Sequence, residues 1–230
     1  RSGFNQAMLN RFGAGEVPKE NFPKPWRFGD RIGVWKNFRF GPQFGETFAE
    51  SQFPVEAISE LSKQSIPDLS AVVPVPNPTH KALSELAADL QGAVLLSHSQ
   101  SGHFPMEAVL LNPKGIRAIV AVEPGTCRST DYSDEQIAQL AKVPTLILFG
   151  DYLPVPTGFT KKTWQDRFND CNAYVDRIKK AKGQIEMIHT PNLGIQGNSH
   201  MLMHDRNHLQ IADIILKWVD ANTGAAKSAE

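Results

Sequence analysis

The sequence predicts an α/β fold, a mostly parallel sheet with helices on both faces, and three observations carry that prediction. Short runs at residues 93–97, 116–122, 144–149 and 185–189 are apolar almost throughout, as strands buried on both faces are, instead of alternating apolar and polar. Segments with helical spacing separate these runs, the order expected when crossover helices connect parallel strands. The 230 residues, 41% apolar and 21% charged, have the size and balance of one globular domain.

Taken in order, the chain divides into an aromatic-rich region, 1–60, and a sheet-bearing core, 61–230. The first region holds nine of the thirteen Phe and two of the four Trp, interspersed with Gly and Pro. Pro23-Lys24-Pro25-Trp26 and Phe38-Arg39-Phe40-Gly41-Pro42 match neither a helix nor a strand period. Two readings stay open: an irregular segment pinned to a core by its aromatics, or a cap over an apolar pocket. On the cap reading, Phe38 and Phe40 line a substrate pocket, with His103 facing it from the core. Apolar residues at Val55, Ile58 and Leu61 predict a helix over 55–65. Pro67, Pro74, Pro76 and Pro78 mark a loop, and Thr79 is the expected cap of a helix reaching Leu90. Further helices are predicted over 104–111, 133–142, 162–182 with Gly183 as its stop, and 206–222.

Lys plus Arg equals Asp plus Glu at 24 each, so no charge excess points to nucleic acid or an anionic membrane as partner. No apolar run approaches the ~20 residues of a membrane span. Cys127 and Cys171 are the only cysteines. From spacing alone they are equally readable as two buried thiols or as a disulfide of an oxidising compartment.

In a parallel sheet the chemistry sits at the C-terminal strand ends. The first predicted strand runs into Ser97-His98-Ser99-Gln100-Ser101-Gly102 and then a helix. A serine with a small residue two places on either side, between strand and helix, has the spacing of a nucleophile elbow, although serines replace the usual flanking glycines. The alternative is a polar turn without chemistry. If the elbow is real, the N–H of Gln100 is one oxyanion donor. The second strand ends in Glu123-Pro124-Gly125 and the third in Gly150-Asp151. Either carboxylate fits the order Ser, acid, His, and strand position alone favours Asp151. After the fourth strand a Gly-rich loop carries His200, where the general base is expected. His200, His204 and His208 fall four residues apart, but the Glu of the helical zinc motif is missing, so neither a metal nor a cofactor is expected.

The runs Leu95-Leu96-Ser97-His98-Ser99-Gln100-Ser101-Gly102, Ala121-Val122-Glu123-Pro124-Gly125 and Gly197-Asn198-Ser199-His200-Met201 together resemble the bacterial esterase 713 type of α/β-hydrolase. The resemblance extends from about Phe38 to the last helix and includes Phe38-Arg39-Phe40-Gly41-Pro42, Pro76-Asn77-Pro78-Thr79 and Asp205-Arg206-Asn207. It implies an α/β-hydrolase fold and a serine carboxylester hydrolase acting through an acyl-enzyme. Ser99 would be the nucleophile, His200 the base and Gln100 an oxyanion donor. The implied acid is Glu123, against the positional choice of Asp151. The resemblance also implies that Cys127 pairs with Cys171, and with that a secreted or periplasmic location.

In that family the second oxyanion donor lies upstream of anything in this sequence, and Arg1-Ser2-Gly3 resembles the loop after an earlier strand. About 80–120 residues, on the order of four strands, are therefore expected to be contributed by a missing or separate N-terminal segment. That segment could be a proteolytic fragment of the same precursor that stays packed against this chain. The expected partners are a small-molecule ester, that fragment and a second copy in a homodimer. The same Ser-His pair also serves lactone and amide hydrolases, lyases and isomerases, and a non-catalytic binding protein on the same scaffold is the other class.

Overall fold

The four apolar runs form one parallel sheet. The computed structural model describes residues 25–26, 31–63, 68–69, 77–158 and 161–224. In chain order these give β1 (Pro25–Trp26), α1 (Arg31–Asn37), a 3-10 turn at Val55–Ala57 leading into α2 (Ile58–Lys63), β2 (Asp68–Leu69) and α3 (Pro78–Asp89). Then follow β3 (Ala93–His98), α4 (Phe104–Leu111), β4 (Ile116–Val122), α5 (Asp134–Leu140), β5 (Thr145–Phe149), α6 (Trp164–Lys180), β6 (Ile185–His189) and α7 (His208–Thr223). The sheet order is β3-β4-β5-β6, all parallel, and β1 pairs antiparallel with β2 in a separate two-stranded ribbon. The ribbon was not legible in the sequence, since two-residue strands carry no period. The proline-rich loop expected over 67–78 lies largely outside the described residues, as do Arg1-Ser2-Gly3 and the first four Phe.

Apolar residues fill both faces because β4 and β5 are covered twice. Ile119, Ala121, Ile147 and Phe149 point to a core completed by α3, α4, α5 and α6. Ala118, Val120, Val122, Leu146 and Leu148 point the other way, against Ile211 and Trp218 of α7 and Leu202 ahead of it. Each fully buried Leu, Ile or Phe stabilises by roughly 1.5–3 kcal/mol, so this double burial explains why the runs are apolar without alternation. Among the described residues β3 pairs only with β4, and Leu96 on it is 60% exposed.

Helix ends follow local chemistry, with two corrections to the sequence reading. Ser133 and Thr163 each close a capping box at the starts of α5 and α6. At α3 the cap is Asn77, not Thr79: its side chain accepts the Thr79 N–H, and Pro78 takes the first helical position. After α6 the left-handed residue is Lys182 (φ 61°) rather than Gly183. Gly183 is needed for a different reason, because a Cβ there would stand 2.6 Å from Ile178 Cγ2 and 2.8 Å from Ala141.

Of the aromatics in the first region, Trp35, Phe40 and Phe53 are buried with Leu61 and Met201 in a small satellite core. Phe40 stacks on Phe53 with ring centroids 3.7 Å apart. These three described aromatics thus pin residues 35–53 against Leu61 and Met201. Cys127, in the loop after β4, is disulfide-bonded to Cys171 on α6, closing a separation of 44 residues. Asp170 beside it ties the same loop down, accepting from the backbone of Cys127 and Ser129 and from the hydroxyls of Thr126 and Ser129.

A closed loop of this length stabilises by about 3–4 kcal/mol on the chain-entropy model. Thermal melts with and without reductant, or of Cys127→Ser/Cys171→Ser, are expected to show a lower Tm in the reduced or substituted protein. An unchanged Tm would refute a stabilising role for the bridge.

Candidate active site

Ser99 begins a 3-10 turn, Ser99–Ser101, between β3 and α4, and its φ of 58° is left-handed. A non-glycine residue reaches that region only when its surroundings hold it there. Here the Ser99 carbonyl accepts from Gly102 and Gly125, at 2.9 and 2.7 Å. Gly102 is obligatory, since a Cβ there would lie 2.4 Å from Pro124 Cβ. The serines that replace the usual flanking glycines add bonds of their own: Ser97 Oγ donates to the Gly102 carbonyl and Ser101 Oγ to that of His98. Gln100 follows Ser99 inside this turn.

His200 is fully buried and lies in the turns ahead of α7. Its Nε2 is 2.8 Å from Ser99 Oγ and its Nδ1 3.1 Å from Glu123 Oε2. Since α7 begins only at His208, the four-residue spacing of His200, His204 and His208 does not mark one helical face. The loop is set by Asp205, also buried, which accepts from the Ser199 N–H, the Ser199 hydroxyl and Asn198 Nδ2. Gly197 (φ 81°) packs so closely on the Glu50 carbonyl that a Cβ would overlap it. Around the His200 ring stand Trp164 at 4.1 Å, His98 at 4.6 Å and Phe38 at 5.2 Å between centroids. The backbone N–H of His200 also donates to the Phe38 carbonyl.

Glu123, the residue after β4, has no exposed surface and a φ of 48°. Its Oε1 accepts from Arg39 Nη2 and from the Gly150 N–H, each at 2.5 Å, leaving Oε2 for His200. Burial by itself would raise this carboxyl. The Arg39 guanidinium and the His200 hydrogen bond outweigh burial and hold it well below the usual carboxylate range. Burial pushes the His200 imidazole below its ordinary value, against the pull of the Glu123 hydrogen bond, so the ring is neutral at neutral pH. A neutral imidazole can take a proton from the hydroxyl, and a carboxylate behind it can stabilise the cation that results.

Asp151, the carboxylate that strand position favours, makes its hydrogen bonds away from the His200 ring. Its Oδ2 accepts from Gly197 N–H, its Oδ1 from Tyr152 N–H and its carbonyl from Arg39 Nε. Its carboxylate thus braces the histidine loop through the backbone, while the ring bonds to Glu123. Of the three residues expected to meet substrate, only Phe38 packs on His200. Phe40 has no exposed surface and belongs to the satellite core. His103 is 4% exposed and packs on His80 and Phe104 instead. Sequence reasoning passed over Arg39, Gly150, Trp164 and Asp205 as site residues. The first and last stood in runs already singled out, but nothing in one sequence says that a charged residue so far away ends on a carboxylate.

No protein-family model matches the chain. It is similar to a novel bacterial esterase of known structure, with 42% identity and a TM-score of 0.80 over 94% of this chain and 64% of that one. It is also 22% identical, over 60% of its length, to the probable secreted lipase phiG of Fungal sp. (strain ATCC 74256), of which it spans 49%. The chain therefore spans less than two thirds of either relative. The extent of the match to the bacterial esterase and the parallel sheet covered by helices show the α/β-hydrolase fold.

Proposed function

We propose that the protein is a serine carboxylester hydrolase in which Ser99 is the nucleophile, His200 the general base and Glu123 the group that orients the imidazole and balances its charge. The observation that carries this reading is the unbroken line from Ser99 Oγ through His200 to Glu123, with contacts of 2.8 and 3.1 Å. His200 takes the Ser99 proton as Oγ attacks the ester carbonyl. The tetrahedral oxyanion is held by donors that include the Gln100 N–H, and the alcohol leaves with the proton from His200. Water, activated by the same imidazole, then releases the acid from the acyl-enzyme. The β3 edge, unpaired among the described residues, supports an additional N-terminal segment that extends the sheet and contributes a second donor. The Cys127–Cys171 disulfide and the secreted relative support a secreted or periplasmic setting.

Ser99→Ala is expected to abolish turnover of a short p-nitrophenyl ester and labelling by a fluorophosphonate. Retained turnover or labelling in a clean preparation would refute the nucleophile assignment. The pH profile follows from the burial of His200. The base works when neutral and burial lowers its pKa, so the acid limb of kcat/KM is expected below the ~6.5 of a free imidazole. A midpoint at or above that value would contradict the environment described for the ring.

A further inference from the structure

We infer that Arg39 is a positioning residue: its guanidinium fixes which oxygen of the Glu123 carboxylate faces His200 and keeps that carboxylate ionised. The inference rests on the proposed roles of Ser99, His200 and Glu123. Arg39 and Glu123 are 84 residues apart in the chain and both have no exposed surface. The carboxylate is divided between its two oxygens: Oε1 is occupied by Arg39 Nη2 and Gly150 N–H, and only Oε2 is left for the ring. Arg39 Nε reaches the Asp151 carbonyl at 2.6 Å, so one guanidinium ties the end of β4 to the end of β5. The third nitrogen, Nη1, is buried and has no hydrogen-bond partner among the described residues. Its burial is therefore not explained by saturation of its donors, only by what the other two nitrogens hold.

The backbone points the same way. Arg39 is left-handed (φ 59°), and the residue before it supplies both the carbonyl that receives the His200 N–H and a ring packed on His200. The guanidinium also lies over Trp164, 5.1 Å from the ring that packs against His200. A strained residue thus reaches the acid and the wall beside the base. Other titratable or charged groups near the pair are His98 on β3, Asp151 after β5, Arg167 on α6, His189 ending β6 and Asp205 ahead of α7. The hydrogen bonds to the Glu123 carboxylate come instead from Arg39, Gly150 and His200.

Removing the cation has one direction of effect whichever group takes the proton. If Glu123 then protonates, its titration enters the acid range. If it stays ionised, His200 loses a like charge nearby and becomes more basic. Either change moves the acid limb to higher pH. A purely structural role would lower stability or the rate plateau and leave the limb where it was.

The test is the rate of Ser99 labelling by a fluorophosphonate in the full chain, from about pH 4 to pH 8. Arg39→Met is expected to move the acid limb upward by about one unit, a roughly tenfold loss of rate on the acid side. Arg39→Lys, which keeps the charge, should leave the limb close to its place in the unsubstituted protein. Because a lone buried carboxylate destabilises the fold, Arg39→Met is also placed on Glu123→Gln, where both charges are gone. There it should add less than about twofold to the loss from Glu123→Gln alone, since residues acting through one another are non-additive. A folded Arg39→Met with an unmoved limb, or a double variant in which the losses multiply, overturns the inference while Ser99 labelling of the unsubstituted protein stands. Failure of the unsubstituted protein to label overturns the proposed function, and the role of Arg39 with it.

Discussion

Glu123 is a carboxylate with no exposed surface, and the rest of the site is arranged around keeping it there. An isolated buried carboxylate would take up a proton, because desolvation in a low-dielectric interior costs more than the group can recover alone. Three donors prevent that: a guanidinium, a backbone N–H and an imidazole. The Gly150 N–H can come this close because residue 150 has no side chain. A Cβ there would lie 2.8 and 2.9 Å from the carbonyls of Asn198 and Ser199 and 3.2 Å from the carboxylate itself. One glycine therefore serves acid and histidine loop together.

Strain gathers at the same place. Of the seven described non-glycine residues with positive φ, Arg39, Ser99, Glu123 and Tyr152 border the site. Each such conformation costs on the order of 1–3 kcal/mol and persists only where neighbours over-determine it. Those neighbours are visible: Gly125 and Gly102 on the Ser99 carbonyl, Pro124 against Gly102, Asp151 on the Tyr152 N–H. The elbow and the end of β4 lock one another, so the hydroxyl and the carboxylate are set by adjacent strands of one rigid sheet. The histidine is set differently, by a loop. Its precision comes from Asp205 inside the loop and from Asp151, Phe38 and Glu50 outside it.

The disulfide belongs to this arrangement at one remove. It joins the loop that follows Glu123-Pro124-Gly125 to α6, the helix that brings Trp164 over His200 and Arg167 onto the Gly125 carbonyl. Sheet end, bridge and helix thus hold one wall of the site, while the segment carrying Phe38 and Arg39 holds the other. That segment was readable in two ways, and its described aromatics divide between them: Phe40 is core, whereas Phe38 is part of the wall around the imidazole.

What the sequence by itself determined is whatever local periodicity and strand-end position can encode. Apolar runs predicted the four parallel strands, of which β4 and β5 are covered on both faces, and the ordering of Ser99, a carboxylate and His200 predicted residues that the fold brings together. The helix starts near Ser133 and Lys162 were equally local. The tertiary structure alone decided which carboxylate meets the histidine. Glu123 and Asp151 follow neighbouring strands and are alike as residues, and position favoured Asp151. The deciding facts are a guanidinium arriving from residue 39 and a loop fold that turns Asp151 onto backbone N–H groups. Such choices depend on contacts between distant parts of the chain, whose energies are set by burial and by competing donors, and neither is written in the spacing of one sequence.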